Sequence, residues 1–189
     1  MKYIPILELP ILIIMILIRS VMLGRHGIKV IVFGVTDKTD FFLLPIILCF
    51  IYALLSIFFE LPFPAILTKM FWEIDITNII AIIICTISLI WFGITLKTFG
   101  RSFRVGIDEK TNEKLITNGT FSISRNPIYM AFIVFFIGIF TAYPNITSAI
   151  FLVLVITAVH RQILREEKFL KIHYGEEYNE YCKKVRRYI

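Results

Sequence analysis

The 33 residues from Pro127 to Val159 contain no charged side chain. As one helix they would extend about 50 Å at ~1.5 Å per residue, whereas the hydrocarbon core of a bilayer is about 30 Å thick. A single straight crossing therefore does not fit. Tyr143-Pro144-Asn145 stands in the middle of the run. Proline cannot continue a helix and asparagine favours turns, so a tight helical hairpin is predicted, with both ends at one membrane face. Two polar segments flank it: Lys114–Met130 (KLITNGTFSISRNPIYM) and Arg165–Tyr181 (REEKFLKIHYGEEYNEY). The hairpin would bring them together.

Other stretches repeat the membrane signal. Phe41 to Phe59 and Ile76 to Leu96 are uncharged and long enough for a crossing, and Tyr3 to Ile18 is apolar apart from Glu8. Hydrophobic residues form 58% of the chain and the mean hydropathy is +0.81, more apolar surface than a soluble domain of 189 residues can bury. The expected fold is all-α: a polytopic bundle of about five transmembrane helices if the first segment crosses with Glu8 near one interface, with four as the alternative if that segment lies partly in the interface. One domain is expected over 1–189, with N-terminal spans in 1–96 and the polar motifs and hairpin in 97–189. The N-terminus lacks the small-residue cleavage site of a secretory signal.

Charge orients this layout. With five spans, 18 of the 20 Lys and Arg residues fall on one side, leaving Lys2 and Lys69 on the other. The positive-inside rule then predicts a multi-pass protein with a cytoplasmic C-terminus. The net charge of +6 flanks apolar spans and fits contact with anionic lipid headgroups, so membrane lipids are expected partners and nucleic acid is not. No obligatory protein partner is evident. Cys49, Cys85 and Cys182 are widely spaced and His26, His160 and His173 have no ligand spacing, so neither a disulfide framework nor a metal site is expected.

Each polar motif has a plain structural reading. Asn126-Pro127 suits the first positions of a helix. Glu166-Glu167 among Arg165, Lys168 and Lys171 suits a solvated, salt-bridged face. Tyr174, Tyr178 and Tyr181 suit interfacial anchors. The functional reading is that helix-start amides with Arg125 beside them hold an anionic group.

The combination is more specific than its parts. The pattern K-L-I-x-x-G-x-F-x-x-x-R-N-P-x-Y, then a hydrophobic hairpin, then E-E-x-x-L-x-x-x-Y-G-x-x-Y-x-x-Y resembles the isoprenylcysteine carboxyl methyltransferase family, itself similar to the phospholipid N-methyltransferases. The resemblance covers roughly residues 99–187. It implies an S-adenosylmethionine-dependent membrane methyltransferase with its cofactor site at the cytoplasmic face. The acceptor would be lipophilic and reach the site from the bilayer, a carboxylate such as a C-terminal prenylcysteine being favoured over a phospholipid amine or a phenolic lipid. The resemblance assigns cofactor binding to Glu113, Lys114, Leu115, Ile116, Phe121, Asn126, Pro127, Ile128, Tyr129 and Glu166.

Gln162, flanked by Arg161 and Arg165, occupies the substrate-orienting position that relatives give to arginine. Asn126 stands for a customary histidine and Phe121 for a tyrosine. Arg125, Tyr129 and Glu167 are the expected catalytic residues. Tyr129 and Glu167, with His173, are the groups able to take a proton from an amine or phenol acceptor. Two rival readings are an NADPH-dependent membrane reductase, whose relatives carry a similar turn and tail, and a membrane scaffold without turnover.

Overall fold

The computed structural model describes residues 4–24, 43–99 and 115–189. Among these residues seven α-helices follow in order: α1 (Ile4–Gly24), α2 (Leu43–Phe59), the single turn α3 (Ala65–Thr68), α4 (Asp75–Phe99), α5 (Pro127–Ala142), α6 (Ile146–Tyr174) and α7 (Glu176–Lys184). A 3-10 turn, Gly119–Ser122, precedes α5. Among the described residues every regular element is helical. α1, α4 and α6 are each long and apolar enough to cross a membrane, whereas α2 and α5 are apolar but shorter. Lipid-facing isoleucines such as Ile83, Ile87, Ile90 and Ile94 run along one side of α4, where water would not tolerate them.

The expected hairpin is present. α5 ends at Ala142 and α6 begins at Ile146, with Tyr143, Pro144 and Asn145 buried between them. Asn145 caps α6 by accepting from the Ser148 amide at 2.9 Å, which satisfies one of the donors that a helix start leaves unpaired. The turn is also tied to the α3 region: the Phe71 amide donates to the Pro144 carbonyl at 2.7 Å, and the Thr147 hydroxyl to the Leu67 carbonyl at 3.0 Å.

α4 and α5 pack antiparallel and close. Small residues line their seam: Ala81, Cys85 and Ser88 on α4, with Ala131, Gly138 and Ala142 on α5. Where lipid removes the hydrophobic drive between helices, close backbone approach and hydrogen bonds supply the attraction. Ser88 donates to the Ala131 carbonyl at 2.7 Å and Trp91 Nε1 to the Pro127 carbonyl at 3.0 Å. Any Cβ on Gly138 would lie 2.4 Å from Cys85 Sγ, so glycine is required there by space.

α1 runs parallel to α4. Thr86 donates to Glu8 Oε1 at 2.8 Å, and Met15 reaches the place where Gly93 lacks a side chain. Glu8 is 7% exposed and lies beside the middle of α4. Its local partner, invisible in the linear pattern, is 78 residues away. α2 joins α6 through Phe50 and Phe151, whose rings stack 3.7 Å apart. The bundle therefore has two ends. One carries the Tyr143-Pro144-Asn145 turn; the other carries the 3-10 turn, the α5 start, the polar part of α6, and α7.

Candidate functional site

The second end is built from four pieces. Gly119 opens the 3-10 turn at φ +59°, and a Cβ there would fall 2.7 Å from Thr98 Cγ2, so both conformation and space call for glycine. The turn buries Phe121 against Phe99, with ring centroids 5.0 Å apart. The Phe121 carbonyl accepts the Tyr181 hydroxyl at 2.6 Å, which joins the turn to α7. Pro127 then sets the first turn of α5; having no N–H, it wastes no donor at the helix start.

α6 does not stop where its apolar run stops. It continues to Tyr174, and this extension places two adjacent carboxylates in different surroundings. Successive helix residues point about 100° apart. Glu166 faces α5, where its Oε1 accepts the Tyr129 hydroxyl at 2.5 Å and Gln162 Nε2 at 2.9 Å. Gln162 is one turn earlier on the same face. Among the described residues, both donors to Glu166 are neutral.

Glu167 has the opposite setting. It is buried, and its Oε1 takes Arg125 Nη2 at 3.2 Å and Asn126 Nδ2 at 3.2 Å. Its Oε2 takes Arg187 Nε at 2.9 Å and Nη2 at 2.8 Å. The hydrogen bond to Glu167 raises the Arg187 pKa and keeps the guanidinium charged. Both carboxylate oxygens are therefore occupied by cations or an amide.

Residues 185–188 close the junction. The Arg125 amide donates to the Arg186 carbonyl at 3.0 Å. The Arg187 carbonyl accepts Asn126 Nδ2 at 3.1 Å and the Ser124 hydroxyl at 3.3 Å. Ser124 Oγ in turn accepts the Asn126 amide at 3.1 Å. Asn126 does not cap α5 with its side chain, as its plain reading suggested; that side chain bridges α6 and the tail. Val185 buries itself with Tyr178 and Tyr181. Burial pushes the Tyr181 phenol up to about 12, and pushes Tyr178 up as well.

The expected site residues distribute as follows. Glu113 and Lys114 lie outside the described residues. Leu115 is half-buried against the Tyr178–Tyr181 cluster, and Ile116 is half-buried beside it in sequence. Ile128 turns toward the α4 core. Arg161 is exposed and Arg165 half-buried, on either side of Gln162. His173 is exposed and stacks on Phe169 at 5.5 Å. Ser124, His160, Arg187 and Tyr188 carry no signal in the sequence pattern that points to the site; His160 Nδ1 and the Tyr188 hydroxyl are hydrogen-bonded. Among the described residues no three His, Cys, Asp or Glu side chains are grouped as metal ligands. A cavity of about 470 Å³ lies at the opposite end, lined by Met70, Trp72, Asp75 and Ala142 among others.

An all-helical bundle of apolar helices, with a polar junction at one end, defines an integral membrane protein. The chain belongs to the phospholipid methyltransferase family, whose model matches residues 75–177. It is 30% identical over 120 residues to a probable protein-S-isoprenylcysteine O-methyltransferase of Oryza sativa subsp. indica, covering 62% of this chain and 61% of that one. It is 36% identical over 91 residues to protein-S-isoprenylcysteine O-methyltransferase B of Arabidopsis thaliana, covering 47% and 46%. A nickel-cobalt-cadmium resistance protein of Alcaligenes xylosoxydans xylosoxydans is 27% identical over 94 residues, covering 49% and 44%. The chain thus spans about half to three fifths of these curated relatives. No solved structure matches. The resemblance carried by the paired motifs holds.

Proposed function

We propose that this protein is an S-adenosylmethionine-dependent methyltransferase that modifies a lipophilic, membrane-resident acceptor, a carboxylate such as a C-terminal prenylcysteine being favoured. Family membership and the relatives' names support the reaction class. The observation that carries the reading is the division of labour between two neighbouring carboxylates. Glu167 is matched by Arg125 and Arg187, whereas Glu166 beside it has only the neutral donors Tyr129 and Gln162 among the described residues. A carboxylate held in place without a paired cation suits a cationic ligand.

The residues present fit the cofactor. Glu166 would hold its ammonium group. Arg125, whose Nε is buried without a hydrogen-bond partner among the described residues, has a donor left for its carboxylate, and the first amides of α5 add the donors that a helix start leaves unpaired. Leu115, Ile116 and Phe121 would offer apolar surface to the adenine, and Glu113 and Lys114 would complete the strip. When bound, the cofactor supplies a methyl group already activated on sulfonium, so the protein's contribution is alignment and exclusion of water.

A carboxylate acceptor attacks without a base. For an amine or phenol acceptor, Tyr129 is the proton-handling group, since its hydroxyl already donates to Glu166. Glu167 then serves as a positioning residue rather than a base, because two guanidinium groups occupy it. Gln162, with Arg161 and Arg165, would face the acceptor. α2 and α5 would complete five spans with α1, α4 and α6, placing the site at the cytoplasmic face.

Membranes containing the protein, incubated with methyl-labelled S-adenosylmethionine, should gain alkali-labile label in a prenylated or lipid fraction. Absence of any transfer, together with no calorimetric binding of the cofactor, would sink the proposal. Alkali-stable label in lipid would move the acceptor from carboxylate to amine or phenol.

A further inference from the structure

α1 contributes nothing to the motifs above, yet it carries a cation with unmet hydrogen bonds. Nε and Nη2 of Arg19 are buried and, among the described residues, have no hydrogen-bond partner. We propose that Arg19 binds the oxyanion of a membrane-resident amphiphile at the mouth of the site. This rests on the methyltransferase reading and deepens it, because it assigns the charge of the molecule that enters from the bilayer.

The register of α1 on α4 locates Arg19. Glu8 meets Thr86 and Met15 meets Gly93, so the two helices run side by side with one offset. Leu12 between them is buried, which fixes the inner face of α1. Arg19 lies one turn beyond Met15 on that face and so reaches the level of Lys97. The next residues of α4, Thr98 and Phe99, are those against Gly119 and Phe121. Arg19 therefore stands at the same height as the 3-10 turn that joins the site to α7.

Its surroundings select the ligand. Among the described residues the acidic group on its own helix is Glu8, about 16 Å away along the axis and too far to pair with it. Lys97, in the last turn of α4, adds positive charge at this level. Two guanidinium nitrogens buried without a partner among the described residues are costly even on a half-buried side chain, and the planar fork of donors matches carboxylate or phosphate oxygens. Leu17, Ile18, Val21 and Met22 on the rest of this turn of α1 are exposed and apolar. Approach to Arg19 is thus along hydrocarbon, and the occupant joins an acyl or prenyl chain to an anionic group. That anion is either the carboxylate of the acceptor or the phosphate of a lipid.

The test uses the full chain in non-ionic maltoside micelles, with Arg19→Gln and Arg19→Lys variants. Three probes are titrated: N-acetyl-S-farnesyl-cysteine, its C-terminal carboxamide, and dioleoyl phosphatidic acid. At least one anionic probe should bind Arg19→Gln roughly tenfold or more weakly than wild type, with the carboxamide unchanged and Arg19→Lys between the two. The anion that shows the loss identifies the source. Unchanged binding of both anions, or an equal fall for the neutral carboxamide, overturns the proposal. If Arg19→Gln lowers the melting temperature, the Arg19→Lys comparison of carboxylate with carboxamide decides the matter. Calorimetry with S-adenosylmethionine runs beside it: a wild type that binds none removes the methyltransferase reading, while the amphiphile comparison still stands or falls alone.

Discussion

Glu166 and Glu167 share a helix turn and differ in almost everything else, because helix rotation presents one to α5 and the other to the residues 185–188. Glu166→Gln keeps the side-chain shape while removing its charge. We expect S-adenosylmethionine affinity to fall roughly tenfold or more, as for a hydrogen bond to a charged group, with the melting temperature nearly unchanged. Equal affinity measured by calorimetry would detach Glu166 from the cofactor. Arg187→Ala should behave differently. It leaves one oxygen of a buried carboxylate unmatched, so the protein should melt earlier as well as bind more weakly. Tyr181 gives a pH test. Its phenol is raised from the ordinary value near 10 to about 12, so its contribution to stability is complete below pH 10 and is lost as pH climbs toward 12. Tyr181→Phe should flatten that alkaline decline in a series of melting curves; an unaltered decline would assign it to other groups.

At the scale of elements, the seam between α4 and α5 has no room for another atom at Gly138. Gly138→Ala should destabilise the protein by about 1–3 kcal/mol, as overpacking does, and Cys85→Ala should recover part of that loss because Cys85 Sγ is the atom met first. Additive melting shifts in the double variant would argue against a shared contact. The helices themselves were legible: uncharged runs, a proline-centred break and an Asn-Pro start are local signals, and α4, α5 and α6 follow them. The pairing of Tyr129 with Glu166 was anticipated only in outline, from both flanks of one hairpin. Arg187 was counted merely as a positive charge near a membrane. Nothing periodic links it to Asn126, 61 residues earlier, and long-range hydrogen bonds leave no mark on a single sequence. Glu8 shows the same limit, since an isolated carboxylate in an apolar run does not announce the threonine it will meet.

For the molecule as a whole, the described basic residues of α6, α7 and residues 185–188 gather at the Arg125 end, and Lys69 lies toward the other. That distribution favours a cytoplasmic junction. Lys183→Cys and Lys69→Cys variants in intact cells provide a direct check with a membrane-impermeant maleimide. Lys69→Cys should label from outside and Lys183→Cys only after permeabilisation; the reverse pattern would turn the protein over. The closure by residues 185–188 also has a consequence for biosynthesis. A chain truncated before Arg186 would still hold α5 and α6, yet Glu167 Oε2 and the Asn126 side-chain amide would lack their partners from the tail. Membrane residence and completion of the junction are therefore separable, and a product lost to late truncation would be membrane-bound but unfinished.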